Sequence, residues 1–160
     1  MGNKDKIIFL DIDGVLNSDK FYENRLSRDD KYSNIDINTI NLLNSLEIDN
    51  LKIVISSSYG EDGIELLKPL LKIPIVGCTK HYSINYDWIC RGNDILEWLN
   101  SNDYYATVFP TLTDNVRYCI IDDNEDILLC QKDKFVKVDK TVGLTKKDIN
   151  KIIKILNYDH

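Results

Sequence analysis

Acidic and hydroxyl side chains follow three apolar segments of this 160-residue sequence at the points where those segments end, and a basic side chain begins a later helical segment. In chain order they are Asp11 and Asp13, Ser56 and Ser57, Arg91, and Asp122 and Asp123. Carboxylates that are brought together repel one another unless a cation neutralises them, and hard oxygen ligands suit Mg²⁺. A phosphate ester needs similar neutralisation as its transition state forms. The set predicts a magnesium-dependent site for phosphoryl chemistry.

The spacing of the first two acids favours a particular division of labour. A carboxylate can attack phosphorus directly and form an aspartyl-phosphate. A second acid two residues later can lie beside the first on a turn and transfer protons to and from the reacting oxygens. Asp11 and Asp13 have this spacing. Each feature alone has a simpler explanation, such as an acidic turn, a serine cap or a surface arginine, so the prediction depends on their occurring together.

Alternating strand and helix patterns must position these side chains. Continuous apolar runs predict buried strands at residues 6–10, 51–55, 73–76, 116–121 and 135–138. Helical periodicity predicts helices at residues 35–46, with Ile37, Ile40 and Leu43 on one face, and at 62–71, 91–98 and 149–156. Thr145 and Asp148 form a predicted capping box before the last helix. Alternation of this kind predicts an α/β fold with a mostly parallel sheet and helices on both faces, whose strand ends share one edge.

Three polar stretches, residues 17–34, 77–90 and 100–115, have neither period and predict loops or at most a small cap. The length fits a single domain over residues 1–160. Aromatic side chains in two of these stretches are expected either to stack on a base or to pack the loop. They are Tyr82, Tyr86, Trp88, Tyr104, Tyr105 and Phe109.

Composition restricts the partners. A net charge of −6 argues mildly against a broad nucleic-acid clamp, although a local basic pocket remains compatible with it. The lysines at 132–140 are interrupted by acids and predict a solvated surface. The apolar runs are too short to cross a membrane and no signal peptide is evident, so a cytoplasmic location without a membrane partner is expected. Four cysteines without a C-x-x-C motif predict reduced, mostly buried thiols, and His81 and His160 predict solvated side chains.

These motifs resemble a known family. The segment IIFLDIDGVLN resembles the first motif of the haloacid dehalogenase (HAD) superfamily of phosphohydrolases, IVISSS its second and IIDDNED its fourth, and Arg91 stands at its basic third. The order DIDGVLNS, serines, Arg-Gly before a helix, Asp-Asp and Gly-Leu-Thr resembles more closely the HAD domain of Swiss Army Knife RNA repair proteins. The resemblance covers residues 6–156. It implies a three-layer Rossmann-like fold with a minimal cap or none.

The resemblance also implies roles for the reacting residues. Asp11 is the implied nucleophile and a metal ligand. Asp13 is the implied general acid and base, and its backbone carbonyl binds Mg²⁺. Ser56 is implied to hold the phosphoryl oxygens, with Ser57 as the alternative. Arg91 is implied to neutralise the aspartyl-phosphate.

The fourth motif leaves its metal ligand open. Asp122 is implied to bind the metal with help from Asp123, and Asp126 is a weaker third candidate. The chain departs from the family after the serines, where Tyr59-Gly60 replaces the Trp-Arg of many relatives. A basic group is therefore missing, which affects the prediction of substrate more than that of chemistry.

The predicted function is a magnesium-dependent phosphomonoester hydrolase that acts through an aspartyl-phosphate. Its phosphorylated substrate is either a polynucleotide end or, as the alternative, a small nucleotide or metabolite. A phosphate-binding module without turnover is the competing hypothesis from another class. The sequence gives no evidence of an obligate protein partner.

Overall fold

A computed structural model describes residues 4–25, 34–81, 83–84, 87–102 and 116–158, of which residues 83–84 and 87–88 are described by their backbone. The helices and strands follow in chain order. They are β1 (Asp5–Leu10), α1 (Asp19–Asn24), α2 (Ile37–Asn44), β2 (Leu51–Ile55), α3 (Gly60–Leu67), β3 (Ile75–Cys78), β4 (Ser83–Ile84), β5 (Asp87–Trp88), α4 (Arg91–Ser101), β6 (Val116–Asp122), a 3₁₀ helix (Leu129–Lys134), β7 (Phe135–Lys137) and α5 (Lys146–Asn157).

Five strands form one parallel sheet in the order β3-β2-β1-β6-β7. β1 is central, and its last residue, Leu10, is in register with Ile55 of β2 and with Ile121 of β6. The residues after β1 and after β2 therefore lie close to the last residues of β6, at one edge of the sheet. After β3 the chain crosses to the other half of the sheet and continues with β6, on the other side of β1. The strand order therefore reverses between β1 and β6. Ligands bind at this switch point in such folds. The predicted Rossmann-like α/β fold is confirmed.

The apolar run of β1 is buried on both faces of the sheet. Ile8 and Leu10 pack into a core with α2, α3 and α5, whereas Ile7 and Phe9 pack with α4 on the other face. The Phe9 ring makes edge-to-face contacts with Trp98 and Tyr118, at centroid distances of 5.6 and 5.8 Å. Full burial of such a side chain contributes about 1.5–3 kcal/mol. Packing on both faces therefore fixes the strand that leads to Asp11.

Most predicted strands and helices are present, with shifted ends. β3 begins two residues later than expected, and α3 ends at Leu67, before Pro69. The capping box of α5 is confirmed, since the Thr145 N–H donates to Asp148 Oδ2 at 3.0 Å. The prediction that Ile37 belongs to the buried face of α2 is wrong, because Ile37 is the first residue of the helix and is 54% exposed.

Two stretches expected to be irregular contain short regular structure. Residues 17–34 hold α1, whose first turn is capped by Ser18 Oγ accepting from the Phe21 N–H at 3.1 Å. Residues 77–90 hold the antiparallel pair β4–β5. Residues 103–115, which contain most of the third stretch, lie outside the described residues.

Two expectations from composition concern membrane spans and cysteines. Among the residues that the structure describes, no helix is long and apolar enough to span a membrane. All four cysteines are unpaired, but the expectation of mostly buried thiols is fulfilled only by Cys119, since the other three are half-buried.

Candidate active site

Asp11 and Ser56 are held by the sheet itself. The Asp11 N–H donates to the Ile121 carbonyl at 3.0 Å and extends the β1–β6 ladder by one residue. The Ser56 N–H donates to the Leu10 carbonyl at 2.8 Å and does the same between β1 and β2. Both residues are buried. Because their backbones are bonded to neighbouring strands, their positions are as fixed as the strands themselves.

Three carboxylates meet at this edge of the sheet. One oxygen each from Asp11, Asp122 and Asp123 lies within 4.8 Å of the other two. Asp122 Oδ1 accepts a hydrogen bond from the Asn124 N–H at 2.8 Å, which fixes the turn after β6. Asp123 packs against Gly14, where a Cβ would lie 2.5 Å from the Asp123 Oδ2. Gly14 also has a φ of +76°, so its lack of a side chain serves both the turn and the approach of Asp123.

Arg91 joins the carboxylates to the serine loop. Its guanidinium lies 3.8 Å from Asp11 Oδ1 and 3.5 Å from Asp122 Oδ2. It also donates a hydrogen bond to the Ser56 carbonyl. The guanidinium therefore contacts residues at the ends of all three central strands, β2, β1 and β6.

The start of α4, which carries Arg91, is fixed by the segment after β6. Asp126 Oδ2 accepts from the Arg91 N–H at 3.0 Å, and the Asp126 carbonyl accepts from the Gly92 N–H at 3.1 Å. Fully buried Gln131 donates to the Gly92 carbonyl at 3.0 Å. Asp126 therefore caps a helix and stands apart from the three-carboxylate group, unlike its expected role as a third metal candidate.

Burial and mutual repulsion make the carboxylates hard to ionise without a cation. Burial raises the pKa of Asp11 to about 6 against the opposing effect of Arg91. Burial, followed by the charge of Asp11, raises the pKa of Asp122 to about 8. A divalent ion would stabilise both ionised carboxylates, and an all-oxygen set of this kind fits Mg²⁺. Asp11, Asp122 and Asp123 are the residues that would hold it.

The two serine candidates differ in what their hydroxyls contact. Ser56 is 1% exposed, and no hydrogen-bond partner for its Oγ lies within the described part of the chain. Ser57 Oγ already accepts from the Tyr59 N–H at 3.3 Å. A buried hydroxyl without a partner is costly unless a ligand satisfies it. Of the two alternatives, Ser56 fits better as a ligand for phosphoryl oxygens.

Asp13 lies at the mouth of the site and outside the three-carboxylate group. Its Oδ1 accepts hydrogen bonds from Asn17 Nδ2 at 3.0 Å and from the Tyr59 hydroxyl at 3.4 Å. Asn17 in turn accepts from the Gly14 N–H at 2.8 Å. These bonds orient an exposed carboxylate, which suits proton exchange with substrate and water.

A cleft of about 570 Å³ opens over Asp11, Asp13, Arg91 and Asp123. Its walls include Tyr22, Tyr59 and Lys140, which the sequence did not predict to line the site. Tyr59 could have been found, because it follows the serines directly. Lys140 was assigned to a solvated surface, and no local signal places it or Tyr22 here.

His81 is an exposed residue, as expected, and its side chain also contacts a buried acid. Its Nδ1 lies 3.4 Å from Oδ2 of the buried Asp94. Burial and then the charge of Arg91 lower the pKa of His81. His160, the side chains of Tyr82, Tyr86 and Trp88, and the aromatic residues at 104, 105 and 109 lie outside what the structure describes.

Comparisons with curated proteins and with solved structures returned no significant match. A family model described as the HAD domain in Swiss Army Knife RNA repair proteins matches residues 7–149, which is most of the chain. The HAD family consists mainly of phosphatases, so a phosphorylated substrate is the general expectation for its members. The strand-end acids, the serine loop and Arg91 all lie within the matched range, and this chain belongs to the family of HAD domains found in Swiss Army Knife RNA repair proteins.

Proposed function

We propose that the protein is a magnesium-dependent phosphomonoesterase in which Asp11 is the nucleophile. The observation that carries this proposal is the meeting of the Asp11, Asp122 and Asp123 carboxylates within 4.8 Å, with Arg91 against the first two. Structural acids rarely gather at the edge of a sheet, where burial penalises their charge. A site that accepts a cation and a phosphoryl anion accounts for the arrangement.

In the proposed first step, an Asp11 carboxylate oxygen attacks phosphorus and the bond from phosphorus to the ester oxygen breaks. Asp13 donates its proton to the departing oxygen, so that an alcohol leaves. Arg91 and the Ser56 hydroxyl hold the phosphoryl oxygens while charge builds on them. Donors fixed in advance in this way stabilise a transition state without reorganising. The product of the step is phospho-Asp11.

In the proposed second step, Asp13 acts in reverse. Its carboxylate takes a proton from a water molecule, and the resulting oxygen attacks the phosphorus of phospho-Asp11. The bond from phosphorus to the Asp11 oxygen breaks, releasing inorganic phosphate and restoring the carboxylate. The hydrogen bonds from Asn17 and Tyr59 keep Asp13 at the mouth of the cleft, where it can reach either the alcohol or the water.

Mg²⁺ would be held by Asp11, Asp122 and Asp123, together with the Asp13 backbone carbonyl that the family resemblance implies. When bound, it supplies charge neutralisation for the carboxylates and the phosphoryl group. For the substrate, we infer the end phosphate of a nucleic acid. The family of RNA repair domains and the open cleft support this choice.

The proposal is tested by incubating the protein with para-nitrophenyl phosphate and Mg²⁺. Asp11→Asn should reduce turnover by about 10⁴-fold or more, because removal of a nucleophile has effects of this order. Asp13→Asn should instead let a phosphorylated enzyme accumulate, since its second step lacks a base, and this is detected by intact-protein mass spectrometry. EDTA should abolish wild-type turnover.

Two results would contradict the proposal. If neither para-nitrophenyl phosphate nor a panel of phosphorylated nucleotides is hydrolysed faster than by Asp11→Asn, the protein is a phosphate-binding module. If Asp13→Asn turns over as the wild type does, the proton-transfer role of Asp13 is excluded.

A further inference from the structure

We propose that Tyr22, Tyr59 and Lys140 form a subsite for the leaving group, and that this subsite selects a nucleoside carrying a second phosphate. The inference rests on the proposed function and specifies the chemistry of its substrate. An oligonucleotide end and a nucleoside bisphosphate share this chemistry. None of the three residues belongs to the four motifs of the resemblance.

The position of Asp13 identifies the leaving-group side of the cleft. The acid that protonates a departing oxygen lies next to it, so side chains around Asp13 contact the group that leaves. The Tyr59 hydroxyl lies 3.4 Å from Asp13 Oδ1. Tyr22 lines the same cleft, and burial together with the Asp13 carboxylate raises the pKa of its hydroxyl. Both tyrosine side chains therefore lie next to the position of the first part of the leaving group.

The Tyr22 ring is exposed and yet supported. It is 41% exposed, with the Arg25 guanidinium 4.9 Å from the ring centroid and the Phe21 ring 5.4 Å away. Arg25 lies over one face of the ring, and the exposed remainder of the tyrosine lines the cleft. Stacking of a base on an aromatic side chain contributes about 1–3 kcal/mol. A nucleobase is the common planar group that such a surface recognises.

Lys140 is held beside Tyr22 by backbone bonds. The Asp19 N–H donates to the Lys140 carbonyl at 3.1 Å, and the Lys20 N–H donates to the Thr141 carbonyl at 3.1 Å. These bonds attach the first turn of α1 to the loop after β7. The aromatic and the basic parts of the subsite therefore form one unit, with little rearrangement needed on binding.

The ammonium group of Lys140 is available to a ligand. Among the residues that the structure describes, no carboxylate lies within salt-bridge distance of it, whereas Lys137 is paired with Glu125 at 2.9 Å. A second hollow of about 400 Å³ adjoins the cleft, and Asp123 and Lys140 line both. The groove thus continues from the reacting phosphate past Lys140, which is where a second phosphate of the same substrate would lie.

The charges of the cleft support this placement. Asp11, Asp13, Asp19 and Asp123 line it, together with Arg91 and Lys140. With Asp122, which lies against Asp11 and Asp123, the site has five carboxylates, one negative charge more than a divalent cation and the two basic side chains offset. Without Lys140, that excess of negative charge would double and would repel a second phosphate more strongly. Lys140 is therefore the side chain on which binding of a doubly phosphorylated nucleoside should depend.

The test compares kcat/KM for substrates that differ by one feature at a time. They are glycerol phosphate, adenosine 5′-monophosphate, adenosine 3′,5′-bisphosphate, and hexanucleotides phosphorylated at the 5′ or the 3′ end. The wild type should prefer adenosine monophosphate to glycerol phosphate, and a doubly phosphorylated nucleoside or a hexanucleotide end to the monophosphate, each by about 10-fold or more. Whether the bisphosphate or a hexanucleotide gives the higher value identifies the source of the second phosphate.

Each variant should remove one preference. Tyr22→Ala should reduce the preference for adenosine monophosphate over glycerol phosphate by about 10-fold, the lower range of a stacking contact. Lys140→Ala should remove the preference for the second phosphate, and the wild-type preference should weaken as salt is raised. Lys154→Ala, which removes an exposed lysine of α5, is the matched control for charge and should keep both preferences.

A binding measurement separates this inference from the proposed function. The affinity of the phosphorylated hexanucleotides is measured by fluorescence anisotropy with Mg²⁺ in the Asp11→Asn background, where turnover is not needed. Tyr22→Ala and Lys140→Ala should each weaken binding by about 10-fold there. Unchanged affinity and unchanged preferences would overturn the subsite while leaving the phosphatase proposal intact. Weakened binding without wild-type turnover would support the subsite and overturn the phosphatase.

Discussion

The floor and the rim of the cleft are built in different ways. The floor consists of Asp11, Ser56, Arg91 and Asp122, of which Arg91 is half-buried and the others are buried, and all lie at strand ends or at the first residue of α4. The rim consists of Asp13, Tyr22, Tyr59 and Lys140, which lie on loops, on a six-residue helix and before α3. Sheet hydrogen bonds fix the floor, whereas side-chain bonds and a pair of loop contacts fix the rim.

This difference separates chemistry from selectivity. A floor set by parallel strands has nearly the same geometry whatever the loops contain, so it suits the attack on phosphorus that any phosphate ester requires. Loops tolerate substitution better than strands and can change the leaving group that fits. We therefore expect floor substitutions to affect every substrate and rim substitutions to affect some substrates more than others.

The largest effect on the floor, apart from loss of the nucleophile, is expected from Gly14→Ala. The new Cβ would lie 2.5 Å from Asp123 Oδ2 and push that carboxylate away from Asp11 and Asp122. We expect the apparent Mg²⁺ affinity, measured by titrating turnover or by calorimetry, to fall about 100-fold. Turnover of all phosphate esters should fall with it.

Gly60→Ala is the matched control for that substitution. Gly60 also has a positive φ, of +52°, but no atom of the described residues lies within 4 Å of its added Cβ. Both variants should lose about 1–2 kcal/mol of stability from backbone strain. If the two variants bind Mg²⁺ equally well, contact between Gly14 and Asp123 does not position the carboxylate.

An effect of similar size, but on kcat alone, is expected from Ser56→Ala, and it should have opposite signs for activity and stability. Loss of one fixed donor to the phosphoryl oxygens should lower kcat about 100-fold. Removal of a buried hydroxyl that has no partner in the described part of the chain should leave the free energy of unfolding unchanged or raise it by about 1 kcal/mol. Steady-state kinetics and urea unfolding measure the two.

Ser57→Ala should give the reverse pattern. Its hydroxyl accepts from the Tyr59 N–H, so its loss should cost about 1 kcal/mol of stability and lower kcat much less than Ser56→Ala does. A larger loss of kcat in Ser57→Ala would assign the phosphoryl contact to Ser57.

The smallest effect is a pH dependence of stabilisation by Mg²⁺. The pKa values of Asp11 and Asp122 are raised to about 6 and about 8 from 3.8, so the folded metal-free protein holds these protons more tightly than the unfolded chain. The contribution of these two groups to stability is then most favourable at low pH and is lost as pH rises from about 4 through about 8. Mg²⁺ requires the ionised carboxylates and competes with their protons.

The increase in Tm caused by Mg²⁺ should therefore be larger at pH 8 than at pH 5.5. At a concentration 100 times its Kd, the ion stabilises by about 2.7 kcal/mol, which is a shift of several degrees for a chain of this size. Differential scanning fluorimetry at the two pH values measures it, and Asp122→Asn should reduce it. An equal shift at both pH values would mean that Mg²⁺ binds away from these acids.

Most of the floor was predictable and most of the rim was not, for a physical reason. The apolar runs before Asp11, Ser56 and Asp122 identify buried strands, and parallel strands must end at one edge. Arg91 was predicted to lie at the same edge because it begins a helix that follows a strand. Tyr22 and Lys140, in contrast, belong to segments whose local patterns indicate only polar loop or solvated surface.

The sequence by itself determined the α/β fold, the strand ends and the acids that follow them, because continuous apolar runs can be buried in few other ways. Only the tertiary structure decided that Asp126 caps α4, that Ser56 and not Ser57 has a hydroxyl without a partner among the described residues, and that Lys140 faces the cleft. Each of these depends on a contact between segments distant in the chain. Local residue patterns do not indicate which distant part of the backbone a side chain will contact.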